Sequence, residues 1–229
     1  MQSDRVDQVW VVMAAYNEAG VIGRVVSDVR RRGFRVVLVD DGSADATCEI
    51  AARAGATVVR HPVNLGQGAA LQTGIEFALG AGAEFVVTFD ADGQHRAAEI
   101  ETLVDALTES RADFALGSRF LGATVNLPPA RRLLLKAATW FTRLTSRLQV
   151  SDTHNGFRAM TRRGAASIRL RQNRMAHASE FLEQIARSGL VYLEAPVTIE
   201  YSEYSLAKGQ KLSDAFSILL DLSVQRLQR

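Results

Sequence analysis

Cysteine is nearly absent from this chain. Cys48 is the single one in 229 residues, so no intramolecular disulfide can form. It lies among small residues of an expected helix, where a thiol acts as a small buried hydrophobe. That usage suits a reducing cytosol. Long apolar runs are missing too, and none approaches the ~20 residues a membrane-spanning helix needs. Met1 to Gln8 is polar and acidic, without the apolar segment of a signal peptide. Cys48 and the four histidines show no zinc-ligand spacing. His154 and His177 therefore read as solvent-facing or hydrogen-bonded side chains. No Gly-Lys-Ser/Thr phosphate loop is present. The nearest thing to a dinucleotide fingerprint, Gly66-Gln67-Gly68-Ala69-Ala70-Leu71, has Leu at the third glycine and does not follow the first strand. These absences argue against a dehydrogenase and a P-loop nucleotidase.

What remains is an ordinary globular balance, 47% hydrophobic and 23% charged, enough for a sizeable core. The length fits one large domain or two small ones. The net charge of +2 hides an uneven distribution. Residues 1–129 carry eleven Lys and Arg against seventeen Asp and Glu. Residues 130–174 carry eleven against one, Asp152, and residues 175–229 carry five against seven. A basic block of that kind points to an anionic partner such as phosphate groups, a membrane surface or nucleic acid. No nucleic-acid motif or aromatic stacking set accompanies it, so nucleic acid is not expected.

Apolar runs and amphipathic stretches alternate along the first half. Strands are expected at 9–14, 35–39, 57–59, 85–89 and 113–117, with helices at 20–32, 45–54 (capped by Asp45), 67–79 and 97–107. Such alternation predicts an α/β fold with a mainly parallel sheet covered on both faces. After Leu127-Pro128-Pro129 the pattern changes. Residues 131–148 read as a basic amphipathic helix, packed on the sheet or lying in a membrane interface. A loop and strand follow at 152–160 and a helix at 179–188. Two short strands, 190–193 and 197–201, are expected on either side of Pro196, and an amphipathic helix at 212–227.

Three strand ends carry polar clusters: Tyr16-Asn17-Glu18, Asp40-Asp41-Gly42-Ser43 and Asp90-Ala91-Asp92. In a parallel sheet these ends share one edge, where ligands bind. Residues two apart on extended chain point the same way. Asp90 and Asp92 can thus serve one hard cation, Mg²⁺ or Mn²⁺, or be turn-forming aspartates. Three acidic ends together would repel unless a cation or a hydrogen-bonding ligand sits among them.

The ordered set Ala15-Tyr16-Asn17-Glu18, Val39-Asp40-Asp41-Gly42-Ser43, Asn64-Leu65-Gly66-Gln67-Gly68-Ala69-Ala70 and Asp90-Ala91-Asp92-Gly93-Gln94-His95 resembles the family 2 glycosyltransferases of GT-A fold. The likeness is to the branch of dolichyl-phosphate mannosyltransferase and bacterial polyprenyl-phosphate glycosyltransferases, over about residues 9–210. It implies a Rossmann-like, mainly parallel sheet flanked by helices, in a single domain over 1–229. Within it, 1–119 is the nucleotide-sugar half, 120–211 the acceptor half and 212–229 a C-terminal amphipathic helix. It also implies an inverting, metal-dependent transferase with a UDP-, GDP- or dTDP-linked donor. Carried over by position, Ala15, Tyr16, Glu18, Asp41, Gly68, Asp90 and Ala91 belong to donor binding, with Asp41 on the base. Asp90, Asp92 and Gln94 belong to the metal, Asp92 foremost. Ala14 stands where the family usually has Pro, and Gln67 where Lys is common.

In the second half, Gly117-Ser118-Arg119 and Asp152-Thr153-His154-Asn155-Gly156-Phe157-Arg158 resemble acceptor-side segments of the family, and Ser205 to Gln210 resembles one near the acceptor phosphate. The Glu-Asp dipeptide that often supplies a base to relatives acting on sugars is absent. A phosphate acceptor is already an anion and needs positive charge rather than a base. Arg119, Arg131, Arg132, Arg158, Ser205, Lys208 and Lys211 are the expected phosphate contacts. Asp92 and Arg119 are expected catalytic groups, with Glu180 the fallback base. The expected acceptor is polyprenyl phosphate. The alternatives are a sugar or glycan hydroxyl, or a silent binding module. A peripheral protein at the cytoplasmic membrane face follows, docked on a membrane surface or an integral membrane partner through helix 212–227.

Overall fold

The computed structural model describes residues 6–127, 148–153, 155–173, 176–201 and 204. Among the described residues, seven strands form one sheet in the order β3-β2-β1-β4-β6-β5-β7. They are β1 (Val9–Ala15), β2 (Arg35–Asp40), β3 (Thr57–Arg60), β4 (Phe85–Thr88), β5 (Phe114–Val125), β6 (Arg158–Thr161) and β7 (Tyr192–Glu200). The helices are α1 (Ile22–Arg30), α2 (Thr47–Arg53), α3 (Gln67–Gly80), α4 (Glu99–Ser110), α5 (Arg162–Ser167) and α6 (His177–Ser188). Strand β6 runs antiparallel to β4 and β5; the other pairings are parallel.

The core lies in two layers because β1 is covered on both faces. Val9, Val11 and Met13 enter one layer with Ile22, Val25, Val26 and Val29 of α1 and Ile100, Leu103, Val104 and Leu107 of α4. That i, i+3, i+4, i+7 spacing is the apolar stripe of a helix on a sheet. Trp10 and Val12 enter the other layer with Leu71 and Ile75 of α3 and Phe181, Leu182 and Ile185 of α6. A strand buried on both faces reads as an unbroken apolar run, as Val9–Ala15 does.

The expected mainly parallel α/β architecture is the observed one. Several details differ from the expectation: α5 was not foreseen, and α2 starts at Thr47 with Ala46, not Asp45, as its N-cap. Residues 190–193 and 197–201 are not two strands; β7 passes unbroken through Pro196. Proline lacks a donor, but β7 is an edge strand, and the β5–β7 register shifts between Ser118 and Ala123 beside it. The strand expected at 113–117 continues to Val125, again by pairing with β7. Cys48 is half-buried rather than buried. The expected helices 131–148 and 212–227 lie outside the described residues, apart from Leu148, which is buried in the second core layer.

Candidate active site

Parallel pairing brings the carboxyl ends of β1, β2 and β4 to one edge, and with them Tyr16–Glu18, Asp41–Ser43 and Asp90–Asp92. The first two clusters are knitted into a single ledge. Asn17 takes a left-handed conformation (φ 54°), which asparagine tolerates better than most residues. Its backbone N–H donates to Ser43 Oγ at 2.9 Å, and its side-chain oxygen accepts from Ala44 N at 2.9 Å. Glu18 N donates to Thr47 Oγ1 at 2.8 Å, and Ala19 N to Asp45 Oδ2 at 3.1 Å. Tyr16 is left 46% exposed on this ledge, an aromatic face open to solvent. The Glu18 carboxylate accepts a hydrogen bond from the Tyr204 hydroxyl at 2.9 Å.

Asp41, the residue expected on the nucleobase, is tied to the loop after β3. Its Oδ1 accepts from Leu65 N (2.9 Å) and His61 Nδ1 (2.8 Å), and its Oδ2 from Gly66 N (2.7 Å). In this structure it holds the loop that leads into α3. That loop lies tight against residues 172–173. Gly68 N donates to Asn173 O at 3.0 Å, and a Cβ on Gly68 would sit 2.0 Å from Gln172 O. Glu180, the fallback base, binds the backbone N–H groups of Arg171 and Gln172 at 2.8–3.1 Å. It fastens the same strap, and a carboxylate so engaged is poorly placed to take a substrate proton.

The two aspartates after β4 behave differently. Asp90 Oδ2 accepts from His95 Nε2 at 2.8 Å, closing the six-residue loop 90–95 on itself. The His95 side chain is only 3% exposed. Its ring packs against Phe89 and Phe157 with centroids 5.3 and 5.0 Å away. Burial pushes the Asp90 carboxyl up, but the His95 hydrogen bond and charge, with Arg158 and His177, hold it below the ordinary value. Asp92 accepts only the Gln94 backbone N–H, at 3.1 Å, among the described residues. Burial first, and then the charges of Asp90 and Glu18, push its carboxyl up to about 6. Repulsion from two neighbouring acids is what a bound cation would relieve.

Glycine at 156 is required for this arrangement. A Cβ there would lie 2.4 and 2.6 Å from the two Asp90 oxygens. The segment 155–158 was expected on the acceptor side; it also walls the Asp90 carboxylate.

On the other flank, Arg119 is 7% exposed and gripped by Asp152 and Tyr201. Arg158 is 4% exposed, its guanidinium stacked 4.4 Å over the Phe181 ring. Burial pushes it down to about 10 against the opposing charges of Asp90 and Asp152. It is a buried cation that feels the charges of both Asp90 and Asp152.

The structure brings Glu18, Asp90, Asp92 and Arg158 within reach of one another's charge, with Ala91 buried beside them, and Asp152 links Arg158 to Arg119. Asp41, Gly68 and Glu180 organise the loop 64–68 and its strap. Arg131, Arg132, His154, Ser205, Lys208 and Lys211 lie outside the described residues. His95 and Asp152 stand in the quoted motifs without a role of their own; Tyr201 and Tyr204 were not anticipated. Asp152 carried one signal: a single acid among eleven bases has a cation to answer. Among the described residues no three His, Cys, Asp or Glu side chains form a metal cage.

A family model described as glycosyl transferase family 2 matches residues 10–168. An uncharacterized protein of Methanocaldococcus jannaschii is 35% identical over 96% of this chain and 93% of its own length. A UDP-N-acetylglucosamine–dolichyl-phosphate N-acetylglucosaminyltransferase of Methanococcus voltae is 27% identical over 96% of each chain. The polyprenol monophosphomannose synthase of Mycolicibacterium smegmatis is 28% identical over 96% of this chain and 88% of its own. Among solved structures, glucosyl-3-phosphoglycerate synthase of Mycobacterium tuberculosis, crystallised with Mn²⁺ and uridine-diphosphate-glucose, superposes with a TM-score of 0.70. It is 21% identical and covers 90% of this chain and 73% of its own, a likeness of GT-A fold. With the match over residues 10–168 and the acidic strand ends gathered at one edge, the chain belongs to glycosyl transferase family 2 and is a glycosyltransferase of GT-A fold.

Proposed function

We propose that the protein transfers a sugar, with inversion, from a nucleotide-sugar donor to a polyprenyl phosphate, with Mg²⁺ or Mn²⁺ bound at Asp92. The observation that carries this is a contrast across one sheet edge. On one flank stand Glu18, Asp90 and Asp92; on the other stand the buried cations Arg119 and Arg158. The donor half, 1–119, supplies the first flank and Arg119, and the acceptor half, 120–211, supplies Arg158 and the Asp152 and Tyr201 that hold Arg119.

The donor set fits a hard divalent ion. Asp92 offers carboxylate oxygens, keeps an unrelieved repulsion with Asp90, and leaves most of the coordination to a ligand such as a diphosphate. Bound there, such an ion stabilises the leaving diphosphate as a Lewis acid. Asp90, fixed by His95, keeps its negative charge beside that position. Tyr16 and Glu18 stand on the ledge where a nucleoside would lie.

The acceptor reading rests on charge. Glu180 is engaged with backbone amides, so a hydroxyl acceptor would find no base there. An anionic phosphate needs none. Two of the similar proteins carry dolichyl-phosphate and polyprenol in their names, which supports the same acceptor class here. Such a substrate lives in a membrane, and the basic block 130–174 would meet its surface. Among the described residues no helix is long and apolar enough to cross one.

The test is turnover of UDP-, GDP- and dTDP-sugars with Mg²⁺ or Mn²⁺, with and without polyprenyl phosphate. A lipid-linked sugar is expected, formed only with lipid and metal together. Transfer to a free sugar at equal rate, or metal-independent transfer, overturns the reading. A pH dependence follows as well. The cation competes with a proton for Asp92, whose carboxyl lies at about 6. The rise in Tm on adding Mn²⁺ is therefore expected to be large at about pH 7.5 and mostly lost by about pH 5. A rise independent of pH would place the ion elsewhere.

A further inference from the structure

The elements around Arg119 grip it at both ends. Its own backbone N–H donates to Asp152 Oδ2 at 3.1 Å, and its Nε donates to the same oxygen at 2.6 Å. Its Nη1 donates to the Tyr201 hydroxyl at 2.6 Å. One carboxylate oxygen thus ties the root of the side chain to its head, while Tyr201 fixes the guanidinium's roll. An arginine that is free in solution must freeze several torsions to bind an anion. Here those torsions are already set.

The grips are themselves anchored in the sheet. Asp152 N donates to Glu194 Oε1 at 3.3 Å, and Ser151 donates to the same oxygen through N (2.7 Å) and Oγ (2.8 Å). Glu194 lies on β7, paired with Leu116 of β5. Tyr201 follows β7, and its N–H donates to Val125 O at 3.1 Å. Register sets the result at the height of the donor flank, with β6 between them. Arg158 pairs with Thr88 on one side and Leu116 on the other. Asp90 and Ser118 each come two residues later, so Arg119 stands at the level of the aspartates.

We propose that Asp152 and Tyr201 are positioning residues that aim the Arg119 guanidinium at the phosphate of the acceptor. This rests on the polyprenyl phosphate reading above. Neither residue touches the reacting atoms; each acts through Arg119. A pair serving stability alone would affect the whole fold equally, whereas a positioning pair acts on the acceptor step.

The experiment uses the full chain with the best nucleotide sugar, polyprenyl phosphate and Mn²⁺. It measures kcat, both KM values and the slow hydrolysis of donor without acceptor. In Asp152→Asn the acceptor KM is expected to rise tenfold or more, and in Tyr201→Phe about threefold to tenfold. Donor KM and acceptor-free hydrolysis stay within about twofold. Tyr201→Phe removes only a hydroxyl, so it reports even where Asp152→Asn folds poorly. An unchanged acceptor KM in Tyr201→Phe and in folded Asp152→Asn overturns the proposal. So does a parallel fall of hydrolysis and transfer. Arg119→Ala separates the two levels. If it raises the acceptor KM while the other two variants are silent, positioning alone fails. If it is silent as well, the phosphate reading of Arg119 fails and takes the positioning role with it.

Discussion

Asp92→Asn is expected to abolish turnover while leaving the metal-free protein as stable as the wild type, or more so. The two halves of this result come from one cause. Asp92 is half-buried beside Asp90 and Glu18, and its carboxyl is pushed up to about 6. A carboxylate whose folded value lies above its unfolded one costs stability when ionised. That cost is present at neutral pH and disappears as the pH falls through about 6 toward the unfolded value. An amide at 92 carries no charge and avoids the cost. The same amide cannot replace a carboxylate as the main anionic ligand. Loss of several kcal/mol of electrostatic stabilisation of the leaving diphosphate corresponds to roughly a thousandfold or more in kcat. The measurement pairs steady-state kinetics with a thermal melt without metal and a Mn²⁺ titration. Wild-type turnover in Asp92→Asn would remove the metal from this site. A large drop in metal-free Tm would show that Asp92 is held by favourable contacts instead.

The sheet was legible because its strands are buried on both faces, and such strands are short apolar runs with polar ends. The position of Asp90 and Asp92 followed from period-two geometry at the end of one of them. The antiparallel β6 between β4 and β5 was not legible. Residues 158–161 look like any other strand, and their direction is set by which gap in the sheet they fill. Pro196 was misread because a proline breaks a central strand but not an edge, and sequence does not announce which strand is an edge.

Within the site, residue types were easier to read than partnerships. Asp41 and Glu180 are acids at expected positions, yet each is engaged by backbone N–H groups that nothing local foretells. Asp41 meets Leu65 and Gly66, which lie 24 and 25 residues away. Arg119 stood out as a cation, but its partners lie 33 and 82 residues along the chain. His95 was in view within its motif. Its role depends on a tight loop and two phenylalanines that press the ring toward Asp90.

That packing makes Gly156→Ala the second large expected effect. The new methyl would need space now held by the Asp90 carboxylate, 2.4 Å away. The turn cannot easily withdraw. Thr88 Oγ1 donates to Gly156 O at 2.6 Å, Phe157 N donates to Asn155 Oδ1 at 3.0 Å, and Gly117 N donates to Phe157 O at 2.9 Å, which pins the turn. Asp90 is the end of a short side chain, so it is the part that rotates, and rotation breaks its bond to His95. Stability should fall modestly, by about 1–3 kcal/mol for one extra methyl in a packed region. Activity should fall further, roughly a hundredfold in kcat/KM for the donor, since a displaced carboxylate no longer sits beside the diphosphate. The double variant distinguishes this route from general damage. If the methyl acts through Asp90, then Gly156→Ala added to Asp90→Ala costs little more than Asp90→Ala alone. Additive losses would mean that the methyl disturbs the acceptor flank instead, through Arg158 two residues on.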